Sequence, residues 1–155
     1  MKNFDAIVIG AGPGGYVCAI RLAQLGKKTA VIDKEYWGGV CLNVGCIPSK
    51  ALIYAGNQFH KTQHEYAEMG LKVGSASVDP VKLQEWKGGV VKKLTGGIGQ
   101  LFKANKVEMF KGSAVFKDAK TLEVTTESGK ETLTAPNIVI ATGATFLAHF
   151  SSGIT

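Results

Sequence analysis

A chain of 155 residues, 45% of them hydrophobic, can bury one sizeable core, and its composition fits one soluble α/β domain. The net charge is +6, but 17 of the 18 basic residues are lysines scattered along the sequence, which argues against the clustered Lys and Arg of a nucleic-acid binder. No signal peptide and no transmembrane run is visible, so the expectation is a cytoplasmic protein, or one of an organelle interior such as the mitochondrial matrix, with no membrane partner.

In chain order, the first element is the apolar run Ala6-Ile7-Val8-Ile9, which predicts a strand buried on both faces. Gly10, Gly12 and Gly15 follow in the spacing G-x-G-x-x-G, within Gly10-Ala11-Gly12-Pro13-Gly14-Gly15. The first glycine permits a tight turn, the second lets the backbone approach a pyrophosphate, and the third lets the next helix pack closely on the strand. That helix is predicted from about Gly14 to Leu25, with Gly26 in the left-handed position that ends it. Its free N–H groups would face the phosphates. Lys27 to Ile32 supplies a second strand, closed by Asp33, whose carboxylate is placed to accept hydrogen bonds from ribose hydroxyls. Strand, helix, strand and acid in this register predict a dinucleotide site rather than an ordinary glycine-rich turn.

Next comes Gly38-Gly39-Val40-Cys41-Leu42-Asn43-Val44-Gly45-Cys46-Ile47-Pro48-Ser49-Lys50. Five residues of regular helix advance about 7.5 Å, and a disulfide needs Cα atoms within about 7 Å. If Cys41 and Cys46 are to meet, the chain between them must bend, and Gly45 eases that. Pro48 is tolerated in a first helical turn, so a helix is predicted to start near Cys46, where its N-terminus favours a thiolate and Lys50 adds positive charge. A close dithiol beside a nucleotide cradle calls for a two-electron partner, and a flavin is one. Two unpaired core cysteines, a structural zinc site or a structural disulfide are the other readings. Zinc is disfavoured because His60, His64 and His149 show no ligand spacing, and a structural bond because nothing marks secretion. Cys18 lies inside the first helix and reads as a small buried residue.

Ala51 to about Met69 continues the second helix, with His60 and His64 four residues apart on an exposed face. Asp79-Pro80 signals a helix start, and Val81 to Ala104 has helical spacing. Gly88-Gly89 and Gly96-Gly97-Ile98-Gly99 sit oddly there; close packing against cofactor or helix, or a break near Gly96, would account for them. Val107–Phe110, Ala114–Phe116, Leu122–Thr126 and Glu131–Leu133 read as a small antiparallel meander, with turns at Asp118-Ala119 and Ser128-Gly129. Asn137 to Ala141 returns as a buried strand ending in Thr142-Gly143.

On the glycine motif, the run from Gly39 to Leu52, the segment Trp86 to Gly97 and Ala141-Thr142-Gly143, the sequence resembles the FAD-dependent pyridine nucleotide–disulfide oxidoreductases over roughly residues 1–144. Within them it is similar to the dihydrolipoamide dehydrogenases; glutathione and mercuric reductases share the cysteine frame but usually carry Thr-Cys-Val where this chain has Val-Cys-Leu. The resemblance implies a Rossmann-like FAD-binding domain with a parallel sheet and a small antiparallel β-meander. It also implies a redox-active Cys41–Cys46 disulfide, with Cys46 as the thiolate against the flavin and Cys41 as the thiol that exchanges with substrate. Gly10, Gly12, Pro13, Gly14 and Gly15 would cradle the pyrophosphate, with Asp33 and Lys34 toward the adenosine ribose; relatives more often place Glu at position 33. The Ala114 backbone would lie near the adenine, Gly39, Val40 and Lys50 near the flavin ring, and Ala141, Thr142 and Gly143 beside the cofactor.

The implied activity is oxidation of dihydrolipoamide to lipoamide with NAD⁺ in a full-length homodimer. Its partners would be lipoyl groups of 2-oxoacid dehydrogenase complexes or of the glycine cleavage system. Residues 1–144 then read as the N-terminal part of the FAD domain, and 145–155 as an atypical, truncated tail. A second G-x-G-x-x-G for NAD, the later Gly-Asp motif and the C-terminal His-Glu pair of the family do not occur in this sequence; His149 does not match that pair. A stand-alone flavin-binding module and an inactive fragment are the alternatives.

Overall fold

The computed structural model describes residues 1–144; the expectations for 145–155, His149 included, lie outside the described residues. A two-residue strand β1 (Lys2–Asn3) precedes β2 (Ala6–Ile9), α1 (Pro13–Gln24), β3 (Thr29–Asp33), α2 (Gly39–Asn43) and α3 (Cys46–His64). A long helix α4 (Pro80–Ala104) leads to β4 (Glu108–Asp118), β5 (Thr121–Thr126), β6 (Gly129–Thr134) and β7 (Asn137–Ile140). The strands order as β1-β6-β5-β4-β3-β2-β7. The predicted α/β class, with a parallel sheet and an antiparallel meander, is what the chain forms.

β2 lies between β3 and β7, parallel to both, with Val8 level with Val31 on one side and Val139 on the other. Side chains alternate across a strand, so Ile7, Ala30 and Ile32 serve one core, and Val8 and Val31 the other. The first core is closed by Phe4, Phe110, Leu122, Val124 and Leu133, so the meander covers that face. The second is closed by Ala19 of α1, Leu42 of α2 and Ile98 and Phe102 of α4. Phe102 is completely buried and meets the Trp37 ring edge-on at 6.1 Å between centroids. That contact anchors the loop leading into α2 on the long helix.

Several predicted elements change shape. Val107–Phe110 and Ala114–Phe116 are not separate meander strands. They belong to one β4 whose first half pairs parallel with β3 (Ala30 with Glu108, Asp33 with Lys111) and whose second half pairs antiparallel with β5 (Gly112 with Thr126). Two alternating runs broken by Lys111 and Gly112 read as two strands, because sequence alternation carries no record of a change of partner. α3 stops at His64 rather than near Met69. Residues 65–70 close as turns, with Met69 N–H donating to Tyr66 O at 3.2 Å and Gly70 at φ +78°. His60 and His64 lie on the last turns of α3, both exposed, with ring centroids 4.4 Å apart. β1 was unforeseen; two residues are too few for a periodic signal. No helix among the described residues is long and apolar enough to cross a membrane.

α4 is capped as its Asp-Pro start predicts: the Asp79 carboxylate accepts from Val81 N–H at 3.0 Å and Lys82 N–H at 3.1 Å. It runs unbroken through its five glycines, none of which would bring an added Cβ within 4 Å of a described atom beyond its chain neighbours and the helix's own backbone. Close packing within the described residues therefore does not account for them. Gly88→Ala and Gly96→Ala should each raise stability by about 1 kcal/mol in urea denaturation of this chain, the usual gain of Ala over Gly inside a helix.

Candidate active site

The site forms where the strand order reverses. From the carboxyl end of β2 the chain leaves toward α1, with β3 on one side and β7 on the other, the position at which open α/β sheets bind ligands. Gly10 N–H donates to Ile32 O at 2.7 Å and Ala141 N–H to Ile9 O at 2.7 Å, clamping the turn between both neighbours. Gly10 has φ +99°, and a Cβ there would also strike the Ala141 carbonyl oxygen. A Cβ on Gly15 would run into the Gly10 carbonyl oxygen, so the third glycine allows helix and strand to touch, as predicted. Gly12 differs: its nearest neighbour would be Gly39 Cα at 3.9 Å, and Gly14 would meet nothing within 4 Å. Bare backbone thus faces open space at the start of α1. That helix has Gly12 as its cap residue, Pro13 at its first position and no side-chain cap, so its first-turn amides are free for an anion.

Asp33 ends β3 in reach of this loop. One carboxylate oxygen accepts from Ala11 N–H at 2.7 Å, and the other from Glu35 N–H at 2.8 Å and Tyr36 N–H at 2.9 Å. The ribose-facing carboxylate of the sequence reading is thus already engaged by three amides of its own chain. Lys34, beside it, is exposed.

The cysteine pair arrives through a second close approach. A Cβ on Gly39 would lie 2.5 Å from Gly12 Cα, so α2 starts against the glycine loop. Gly38 N–H donates to Ala11 O at 2.9 Å, and Asn43 Nδ2 donates to Trp37 O at 3.1 Å and Gly39 O at 2.9 Å, holding the short helix closed. The predicted bend falls at Val44 and Gly45; a Cβ on Gly45 would lie 3.0 Å from Val40 O, so the glycine lets the chain double back toward Cys41. Cys46 then opens α3 as an exposed residue, with Pro48 in the first turn as expected. Cys41 and Cys46 are free thiols in this structure, not the disulfide that the resemblance implies for the oxidised form. Donation of the Cys41 thiol toward Cys46 is the main influence raising the Cys41 pKa above its ordinary 9.0; partial burial adds to it, and the Lys50 charge opposes it. Two cysteines turned toward each other in this way can serve as the reduced state of an exchange-competent pair.

The remaining predicted residues fall in three places. Ala141, Thr142 and Gly143 follow β7 beside Gly10, with Gly143 at φ +72°. Ala114 lies on β4 three residues past Lys111, the partner of Asp33, hence about 10 Å beyond the end of β3, where one edge of β4 has no neighbouring strand among the described residues. Val40 and Lys50 are exposed on α2 and α3. The sequence reading missed Ala11, whose two backbone bonds join the loop to Asp33 and to Gly38, and Asn43, whose amide closes α2; a side chain's backbone partner several residues away leaves no pattern in a sequence.

A nucleotide cradle at a sheet switch point, with a dithiol seated against it, defines a nucleotide-linked thiol–disulfide oxidoreductase. The chain belongs to the pyridine nucleotide-disulphide oxidoreductase family, whose model matches residues 4–153. It is 54% identical over 140 residues to dihydrolipoyl dehydrogenase of Geobacillus stearothermophilus, and 45% identical over 141 residues to that of Manduca sexta. These matches cover 90% of this chain but 30% and 28% of the relatives, so the chain spans about a third of their length. Among solved structures it is similar to a Cu(II) complex of the HOCl-induced flavoprotein disulfide reductase RclA from Escherichia coli. That match has a TM-score of 0.78 and 27% identity, and covers 95% of this chain and 30% of the other.

Three variants check the geometry. Gly15→Ala should lose the native fold, seen as a lost cooperative melt, because its Cβ meets backbone. Gly12→Val should melt normally yet bind FAD about tenfold or more weakly, as overpacking by about 1–3 kcal/mol implies. Cys46→Ala should bring the Cys41 ionisation down toward 9.0, read by ultraviolet thiolate absorbance. With its raised pKa, Cys41 binds its proton more tightly folded than unfolded. It therefore contributes stability below pH 9.0, and that contribution is lost as the pH rises through the folded value.

Proposed function

We propose that this chain is the FAD-binding and dithiol-bearing portion of a dihydrolipoamide dehydrogenase, which in full length oxidises dihydrolipoamide with NAD⁺ to give lipoamide, NADH and a proton. The observation that carries this reading is the contact of Gly39 with Gly12, which seats the Cys41–Cys46 pair against the nucleotide cradle. The identity to dihydrolipoyl dehydrogenases supports the lipoamide branch over the glutathione and mercuric reductases.

The residues present fit FAD. Open Cβ positions at Gly12 and Gly14 and the uncapped start of α1 suit its pyrophosphate, and the unpaired edge of β4 at Ala114 suits its adenine. Asp33 and Lys34 would flank the ribose, and Gly39, Val40, Lys50, Ala141, Thr142 and Gly143 would border the flavin side. When bound, FAD accepts the electron pair of the dithiol and passes it on toward NAD⁺. The chain's own part is thiol exchange. With the pair oxidised, one dihydrolipoyl thiolate attacks the Cys41 sulfur, the Cys41–Cys46 bond breaks, and Cys46 leaves as a thiolate. The second dihydrolipoyl thiolate attacks the substrate sulfur of the mixed disulfide, releasing lipoamide and Cys41. The substrate thus loses two electrons and its two thiol protons, and the pair gains both, ending as the dithiol. Cys46 leaves well from the first turn of a helix, where negative charge is stabilised. The partners of the full-length homodimer would be lipoyl groups of 2-oxoacid dehydrogenase complexes or of the glycine cleavage system, in the cytoplasm or the mitochondrial matrix.

Purified chain should show a flavin absorption spectrum and an intact mass two hydrogens short that returns on mild reduction. Cys46→Ser should keep the flavin and lose the long-wavelength absorbance that appears on partial reduction. A colourless chain with free thiols throughout would refute cofactor retention by these residues alone. Survival of the absorbance in the serine variant would exchange the two cysteine roles.

A further inference from the structure

Ala11 is a node. It is completely buried, its N–H donates to one Asp33 oxygen at 2.7 Å, and its carbonyl accepts from Gly38 N–H at 2.9 Å. The other Asp33 oxygen takes Glu35 N–H and Tyr36 N–H, and Gly39 N–H donates onward to Tyr36 O at 2.9 Å. One carboxylate therefore ties together the glycine loop, the end of β3 and the loop that delivers α2 with Cys41. An aspartate's short arm favours such bonds to amides two and three residues ahead, as in an Asx turn. We propose that Asp33 is a positioning residue, which through Ala11 and Gly38 fixes the nucleotide cradle and the dithiol segment as one preformed unit before any cofactor binds. This role adds to any contact with a ribose, since a carboxylate offers about four acceptor sites and three are used here. It stands apart from the proposed catalytic activity, because every bond in it lies within the chain.

The test is amide hydrogen exchange on the full chain without cofactor, followed residue by residue. Asp33→Asn has a single acceptor oxygen: with its carbonyl on Glu35 and Tyr36, its NH₂ faces the Ala11 N–H, donor against donor. Exchange at Ala11 and Gly38 should quicken by about tenfold or more, as loss of a charge-assisted bond implies, while Leu122, Val124 and Leu133 of the meander keep their rates. Asp33→Glu, which restores a carboxylate, should recover part of the protection at Ala11 and Gly38. Unchanged exchange at both positions in Asp33→Asn would overturn the proposal, and if FAD binding alone weakened, Asp33 would be a ribose ligand only. Uniform quickening that includes the meander would overturn it too, because the residue would then serve general stability. A chain that fails to bind FAD in any form leaves these rates readable, so the cofactor reading and the positioning role fail separately.

Discussion

Backbone lies against backbone where Gly15 meets Gly10 and where Gly39 meets Gly12, and the geometry of the site follows from these contacts. A side chain at Gly15 would separate α1 from β2, and one at Gly39 would push α2 off the loop. The first contact aims the free amides of α1 across the end of the sheet. The second brings Cys41 and Cys46 to the same place. Atoms packed this closely cannot yield to a methyl group without moving strand or helix, so glycine at both positions is a condition of the architecture.

The chemistry is then largely a matter of where charge can settle. The Cys41 pKa is raised by its side-chain interaction with Cys46 and by partial burial, with Lys50 pulling the other way. The two sulfurs are chemically alike in the sequence, yet one lies mid-turn in a five-residue helix and the other opens a helix of 19 residues. The bend at Gly45 doubles the chain back, so that the helix opened by Cys46 begins beside the one that holds Cys41.

Much of this was legible before any coordinates. G-x-G-x-x-G between an apolar run and a helical pattern announced the cradle, since each glycine answers a local steric demand. Gly26, Pro48 and Asp79-Pro80 marked helix ends because capping depends on the nearest few residues, and all three act as read. Illegible were features that depend on distant partners. β4 changes from parallel to antiparallel pairing at Lys111–Gly112 only because β3 ends there and β5 continues. Asp33 looked like a free ligand because nothing in the sequence says that the amides of Ala11, Glu35 and Tyr36 converge on it.

The sequence by itself determined the α/β class, the glycine cradle, the dithiol and the family, because these rest on short-range sterics and on residue types at fixed spacing. Only the tertiary structure decided that Gly39 rests on Gly12, that Ala11 joins cradle to cysteine helix, and that the Cys41 thiol is pushed above its ordinary pKa. Those outcomes depend on how segments far apart in the chain share space and hydrogen bonds, which is settled by packing and not by spacing.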